Sequence, residues 1–198
     1  MTICVFGDSI AWGAYDVEGG WVERLKRYVW TTHDGEVYNL GISGDTSDGV
    51  LARLTQEAKP REPDLIIIAV GVNDAQYEET PSNPRTSIES FSENINAIAN
   101  EAKALAKKVV FIGLTCVDES RTKPISWSPK KFYDNERIRA YNEALMVAAG
   151  SMHHSCVRTF DLLEVSDFED GLHPNSKGHE KLFEHIKDEL EKSNLLGQ

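Results

Sequence analysis

Long apolar runs are missing from this sequence, and so is any excess of positive charge. No stretch approaches the roughly 20 apolar residues that a membrane-spanning helix requires. The N-terminus, Met1 to Ile10, has no basic segment, and its short apolar run stops at Gly7, so no secretory signal is legible. Cysteine is scarce. Cys4, Cys116 and Cys156 are odd in number and widely spaced, which fits buried, reduced thiols better than a disulfide framework or a zinc knuckle. Lys and Arg total 21 against 32 Asp and Glu, a net charge of −11. That field repels phosphate backbones and anionic lipid surfaces, which argues against a nucleic-acid partner. There is no internal repeat and no low-complexity linker. These absences predict a soluble, cytoplasmic protein.

What is present is ordinary for a globular domain. The chain has 198 residues, 40% of them hydrophobic and 27% charged. A chain of this length buries roughly 70% of its unfolded surface without help from a disulfide or metal. One domain spanning residues 1–198 is expected. Thr2 to Phe6 reads as a buried strand ended by Gly7, and Val37 to Leu40 as a weaker second. Leu65 to Val70 is a third, ended by Gly71; Val109 to Ile112 is a fourth, ended by Gly113; Val157 to Leu162 supplies a fifth. Their hydrophobicity is continuous rather than alternating, which implies strands covered on both faces. Between them, Ile88, Phe91, Ile95, Ile98, Ala102 and Leu105 recur on one helical stripe, with Thr86 and Glu89 spaced for a capping box. Ile138 to Ala148, Leu182 to Leu190, Trp21 to Trp30 and Thr46 to Glu57 complete five helical segments. The alternation predicts an α/β fold, a five-stranded parallel sheet with helices on both faces. Sites in such sheets lie beyond the carboxyl ends of the strands.

Four polar, glycine-rich junctions stand at those ends. The first strand runs into Gly7-Asp8-Ser9-Ile10, the second into Gly41-Ile42-Ser43-Gly44-Asp45-Thr46, the third into Gly71-Val72-Asn73-Asp74, and the last is followed by Asp170-Gly171-Leu172-His173-Pro174-Asn175. In this order, from residue 7 to residue 175, they resemble the signature blocks of the SGNH, or GDSL-type, esterase and lipase superfamily. The first block reads GDSI where that family commonly has GDSL. The resemblance implies a flavodoxin-like three-layer fold and hydrolysis of carboxylic esters or thioesters without a cofactor. It further implies Ser9 as nucleophile, Asp170 and His173 as its triad partners, and Gly44 and Asn73 as oxyanion-hole donors.

The residues support the same chemistry in their own terms. A serine hydroxyl is a weak nucleophile until an imidazole takes its proton. His173 can do so if a carboxylate fixes its tautomer, and Asp170 lies three residues away on the same loop. Gly44 lets its N–H approach a substrate closely, Asn73 offers a neutral amide, and the Ser9 N–H at the start of a helix would be a third oxyanion donor. Taken singly, each of these residues suits a turn or a helix cap; their mutual roles carry the assignment. Asp8 and Asp74 read as loop-bracing acceptors, and Asp45 and Thr46 as caps of the following helix. Ser43 is a rival nucleophile but suits a positioning role. No partner completes a metal site at His153-His154, so no metal is assigned. Nucleotide binding lacks both a Gly-x-Gly-x-x-Gly and a Walker-type lysine. The expected partner is a small-molecule acyl ester. An acyltransferase or thioesterase with the same triad is the alternative, and a non-catalytic acyl- or carbohydrate-binding module a further one. The irregular stretch Cys116 to Asp134, with Trp127, Phe132 and Tyr133, reads as a lid, a pocket wall or a packed surface excursion. Lys123, Lys130 and Lys131 make it basic enough to allow an anionic substrate.

Overall fold

The computed structural model describes residues 1–197; Gln198, the last position of the expected domain, lies outside the described residues. β1 (Thr2–Gly7) is followed by α1 (Ser9–Trp12), α2 (Gly20–His33), β2 (Glu36–Gly41), α3 (Ser47–Ala58) and β3 (Leu65–Ala69). Then come β4 (Tyr77–Glu78), α4 (Ile88–Leu105), β5 (Lys108–Ile112), α5 (Glu119–Thr122), β6 (Lys131–Phe132), α6 (Asn135–Ser151), β7 (Ser155–Val157) and α7 (Ser176–Lys192). Five of the strands form one parallel sheet in the order β2-β1-β3-β5-β7.

The period-two geometry of the central strands builds the layers. Cys4 and Phe6 of β1, with Ile66 and Ile68 of β3, pack against α3, α4 and α6. Their neighbours Ile3, Val5, Leu65 and Ile67 pack against α2 and α7 on the opposite face. Each of these strand residues is fully buried, which is why the runs carry no polar alternation. The result is the flavodoxin-like three-layer sandwich. From β1 the chain steps to one side for β2 and then crosses back to the other side for β3 and the remaining strands. A crevice therefore opens beyond the ends of β1 and β3, where α/β sheets bind ligands.

Three expectations shift. The fifth strand is Ser155–Val157 rather than Val157 to Leu162, because β5, its neighbour in the sheet, pairs with it as far as Ile112↔Val157 and ends there. The cap of α4 is Ser87, not Thr86: the Ser90 N–H donates to Ser87 Oγ at 3.1 Å, while the Thr86 carbonyl accepts from the Tyr141 hydroxyl. The stretch from Cys116 to Asp134 is tied down. β6 pairs with β4 in antiparallel register, with Tyr77 opposite Phe132 and the two rings stacked at 5.3 Å. The Asn135 amide closes the base of the loop, accepting from the Val117 N–H at 2.8 Å and donating to its carbonyl at 2.9 Å.

Candidate active site

Ser9 occupies the first turn of α1, directly beyond β1, where helix N–H groups have no acceptor within the helix. Asp8 caps that turn by accepting from the Ile10 N–H at 2.9 Å. Gly13 closes it at φ 95°, its N–H donating to the Ser9 carbonyl. Only glycine fits here, since a Cβ would lie 2.3 Å from the Gly19 carbonyl oxygen. Burial pushes the Asp8 carboxyl up to about 6, against the pull of the Ile10 N–H and of His173.

The loop before α7 brings the distant end of the chain to this point. Ser9 Oγ lies 2.9 Å from His173 Nε2, and His173 Nδ1 lies 2.8 Å from Asp170 Oδ2. Asp170 Oδ1 accepts from the main-chain N–H groups of Leu172 (2.9 Å) and His173 (2.8 Å), so carboxylate and imidazole come from one braced turn. Burial opposes ionisation of Asp170, yet the side-chain and main-chain bonds from His173 outweigh it and hold the carboxyl well below the usual range. An ionised carboxylate only accepts, so Nδ1 carries the proton and, in the neutral ring, Nε2 presents its lone pair to Ser9. Asn175 caps α7 immediately after Pro174, accepting from the Gly178 N–H at 3.1 Å.

Two further side chains fix this relay. Trp127 donates its indole N–H to Asp170 Oδ2 at 3.0 Å, from the loop whose role the sequence left open. The Tyr15 ring sits 5.3 Å from the His173 ring. Neither partner has a signature in the sequence, because both contacts join segments far apart in the chain.

The opposite wall carries Gly44 and Asn73. Gly44 holds φ 78°, its N–H meets no protein acceptor among the described residues, and a Cβ built there would touch nothing within 4 Å. Asn73 is buried; its Nδ2 uses one hydrogen on the Asp45 carbonyl at 2.9 Å and keeps the other. The Tyr133 hydroxyl lies 3.3 Å from Asn73 Oδ1 and 3.1 Å from Gln76 Oε1, which fixes the orientation of the amide. Asp74 braces the same loop, accepting from the Ser47 N–H (3.0 Å) and hydroxyl (2.5 Å), while burial raises its carboxyl. Asp45 accepts from the Thr46 N–H and from Arg53, whereas Thr46 stands at the cap of α3 without a side-chain capping bond. Ser9, Gly44, Asn73 and His173 thus face one cavity of about 380 Å³, with Asp170 behind the histidine. Ser43 lines the cavity but makes no bond to an imidazole. Sequence reasoning missed Trp12, Tyr15, Gln76 and Arg85 in this lining. Trp12, one helical turn after Ser9, had a usable spacing; Gln76 and Arg85 meet through the turn after β4, closed by the Tyr77↔Pro84 bridge and the bond from the Arg85 N–H to the Gln76 carbonyl.

A sequence profile of the GDSL-like lipase/acylhydrolase family matches residues 5–181, most of the chain. The chain belongs to this family. Esterase TesA of Pseudomonas aeruginosa is 29% identical over 193 residues, covering 94% of this chain and 86% of that protein. An arylesterase of Vibrio mimicus is 26% identical over 192 residues, covering 96% and 88%. Among solved structures, a lipase/acylhydrolase from Enterococcus faecalis aligns with a TM-score of 0.77 at 25% identity, over 97% of this chain and 96% of that one. The family's matched region contains all the junctions described above, from Ser9 to His173.

Proposed function

We propose that this GDSL-family chain is a serine esterase that cleaves a small carboxylic ester through an acyl-enzyme on Ser9. The observation that carries the reading is the relay Ser9–His173–Asp170, with links of 2.9 and 2.8 Å, beside the unpartnered N–H of Gly44. Ser9 Oγ attacks the ester carbonyl as His173 Nε2 takes its proton. The charge that develops on the carbonyl oxygen is met by the N–H groups of Gly44 and Ser9 and by the amide of Asn73. Collapse breaks the bond to the alcohol, which leaves with the proton from His173. Water then gives a proton to the same nitrogen and attacks the acyl carbon; the second tetrahedral intermediate collapses with cleavage of the bond to Ser9 Oγ, which takes that proton back from His173 as the acid leaves. Asp170 stabilises the imidazolium in both halves without taking its proton.

The decisive variant is Ser9→Ala, assayed on a short p-nitrophenyl ester. Loss of the nucleophile from a working triad lowers turnover by orders of magnitude, up to about 10⁶. Retention of most of the wild-type rate would remove Ser9 from the mechanism.

The remaining properties are part of the same proposal. A reducing, cytoplasmic setting is supported by three free cysteines, of which buried Cys4 is pushed up to about 11, mainly by desolvation. The charge of −11 argues against a nucleic-acid partner. No helix among the described residues is long and apolar enough to cross a membrane. One domain over the chain is supported by the five-stranded sheet that lies between the two core clusters.

A further inference from the structure

The cavity at Ser9 inverts the charge balance of the chain. Acidic residues outnumber basic ones 32 to 21, yet among the described residues no Asp or Glu lines this cavity, whereas Arg85 and Lys131 do. Among the described residues neither cation makes an ion pair, although two lysines of the loop do. Lys123 pairs with Glu119 at 3.0 Å and Lys130 with Glu79 at 3.3 Å. Of the three lysines that make the loop basic, only Lys131 makes no ion pair within 4.0 Å among the described residues, and Arg85 joins it from another segment.

The fold puts them there deliberately enough to fix their positions. Lys131 lies on β6, opposite Glu78 of β4, and its ammonium stands 5.5 Å from the centre of the Trp127 ring. That indole is anchored in turn on Asp170, so Lys131 is held beside the histidine loop. Arg85 closes the β4 turn, its N–H donating to the Gln76 carbonyl at 2.8 Å, and Gln76 shares Tyr133 with Asn73. The rim is aromatic and open: Trp12 is 57% exposed, Tyr15 58% and Trp127 47%. Apolar ring faces beside two cations that make no ion pair match a ligand with an apolar body and an anionic end.

We propose that this cavity selects esters bearing an anionic group, a carboxylate or its equivalent, on the acyl or the alcohol part. The inference rests on the esterase reading above. Arg85 and Lys131 serve as the charge-recognising pair, and they counter the long-range repulsion that a chain of −11 exerts on such a substrate.

The test compares two matched pairs, each corrected for spontaneous hydrolysis. The p-nitrophenyl monoester of adipate against p-nitrophenyl hexanoate places the charge on the acyl side. The acetate ester of 4-hydroxybenzoate against that of its methyl ester places it on the alcohol side. The wild type is expected to favour the anionic member of at least one pair by about tenfold or more in kcat/KM. In the Arg85→Gln/Lys131→Gln double variant that ratio falls about tenfold, and high ionic strength erodes the wild-type ratio. The single variants report the same ratio if the double variant does not fold. Ser9→Ala titrated calorimetrically with adipate monoamide against hexanamide reads the preference without turnover. Esters cleaved with no charge preference, or a ratio that the variants leave unmoved, overturn this inference and leave the esterase intact. A binding preference for the anionic amide with no ester cleaved overturns the esterase and leaves the anion site standing.

Discussion

Four N–H groups converge on the Asp170 carboxylate, two on each oxygen, and one of them, the Trp127 indole, comes from a loop distant in the chain. In the proposed reaction this carboxylate fixes the imidazole tautomer, so Asp170→Asn is expected to lower kcat by about 10⁴. Trp127→Phe keeps an aromatic ring at the rim but removes one donor. The three remaining bonds keep most of the geometry, and the expected fall in kcat is about three- to tenfold, or ~1 kcal/mol. Steady-state kinetics on a neutral ester, with far-ultraviolet circular dichroism to verify folding, checks both. An unchanged kcat in Trp127→Phe would mean that the indole bond does not position Asp170. At this scale Ser9, Gly44, Asn73, Asp170 and His173, the residues of the proposed reaction, were legible because each sits in a short glycine-containing block, whereas the polar Gln76 and Arg85 of the same lining were not. Trp127, Tyr15 and Tyr133 were not assignable, since a side chain that reaches the site from a distant loop leaves no local pattern. Tyr133 is the sharpest instance: in the sequence it is one aromatic among several, and in the fold it holds the Asn73 amide in place.

Among the elements, the single turn α1 sets the position of Ser9, the proposed nucleophile, and its cap is a buried acid. The Asp8 carboxyl rises from 3.8 to about 6 in the folded chain, chiefly by desolvation, so the fold prefers it protonated. Stability from this group is complete below pH 3.8 and is lost as pH rises through about 6. Asp8→Asn preserves a cap acceptor and removes the buried charge. Denaturant unfolding is expected to show the variant gaining on the wild type between pH 4 and pH 8, by about 3 kcal/mol at most. A difference independent of pH across that window would refute the assignment. The long elements were legible because hydrophobic periodicity is a local property: the β1 and β3 runs and the α4 stripe stand where the sequence puts them. Boundaries were less so. The extent of β7 depends on where β5 ends, and the α4 cap depends on which of three adjacent polar residues faces Ser90. β4 and β6 could not be read at all, since two-residue strands exist only through their pairing.

For the whole molecule, sheet order explains why residues from opposite ends of the chain form one site. β1 and β3 lie side by side at the point where the strand sequence reverses. Ser9 follows the first of these strands and Asn73 the second, while the loop ahead of α7 returns His173 to the same edge. The order of the four junctions was readable in the sequence, but the distances between them were not, because they are set by packing of α2, α7 and the sheet. The central claim is that Ser9 is the residue that becomes acylated, and covalent trapping tests it most directly. The protein is treated with a p-nitrophenyl phosphonate ester, and the adduct is located by intact-mass measurement and peptide sequencing. The expected result is one phosphonyl group per chain, on Ser9, with activity lost in proportion to labelling and with labelling slowed strongly in His173→Ala. A stoichiometric adduct on another side chain such as Ser43, or full activity in protein already modified at Ser9, would contradict the account.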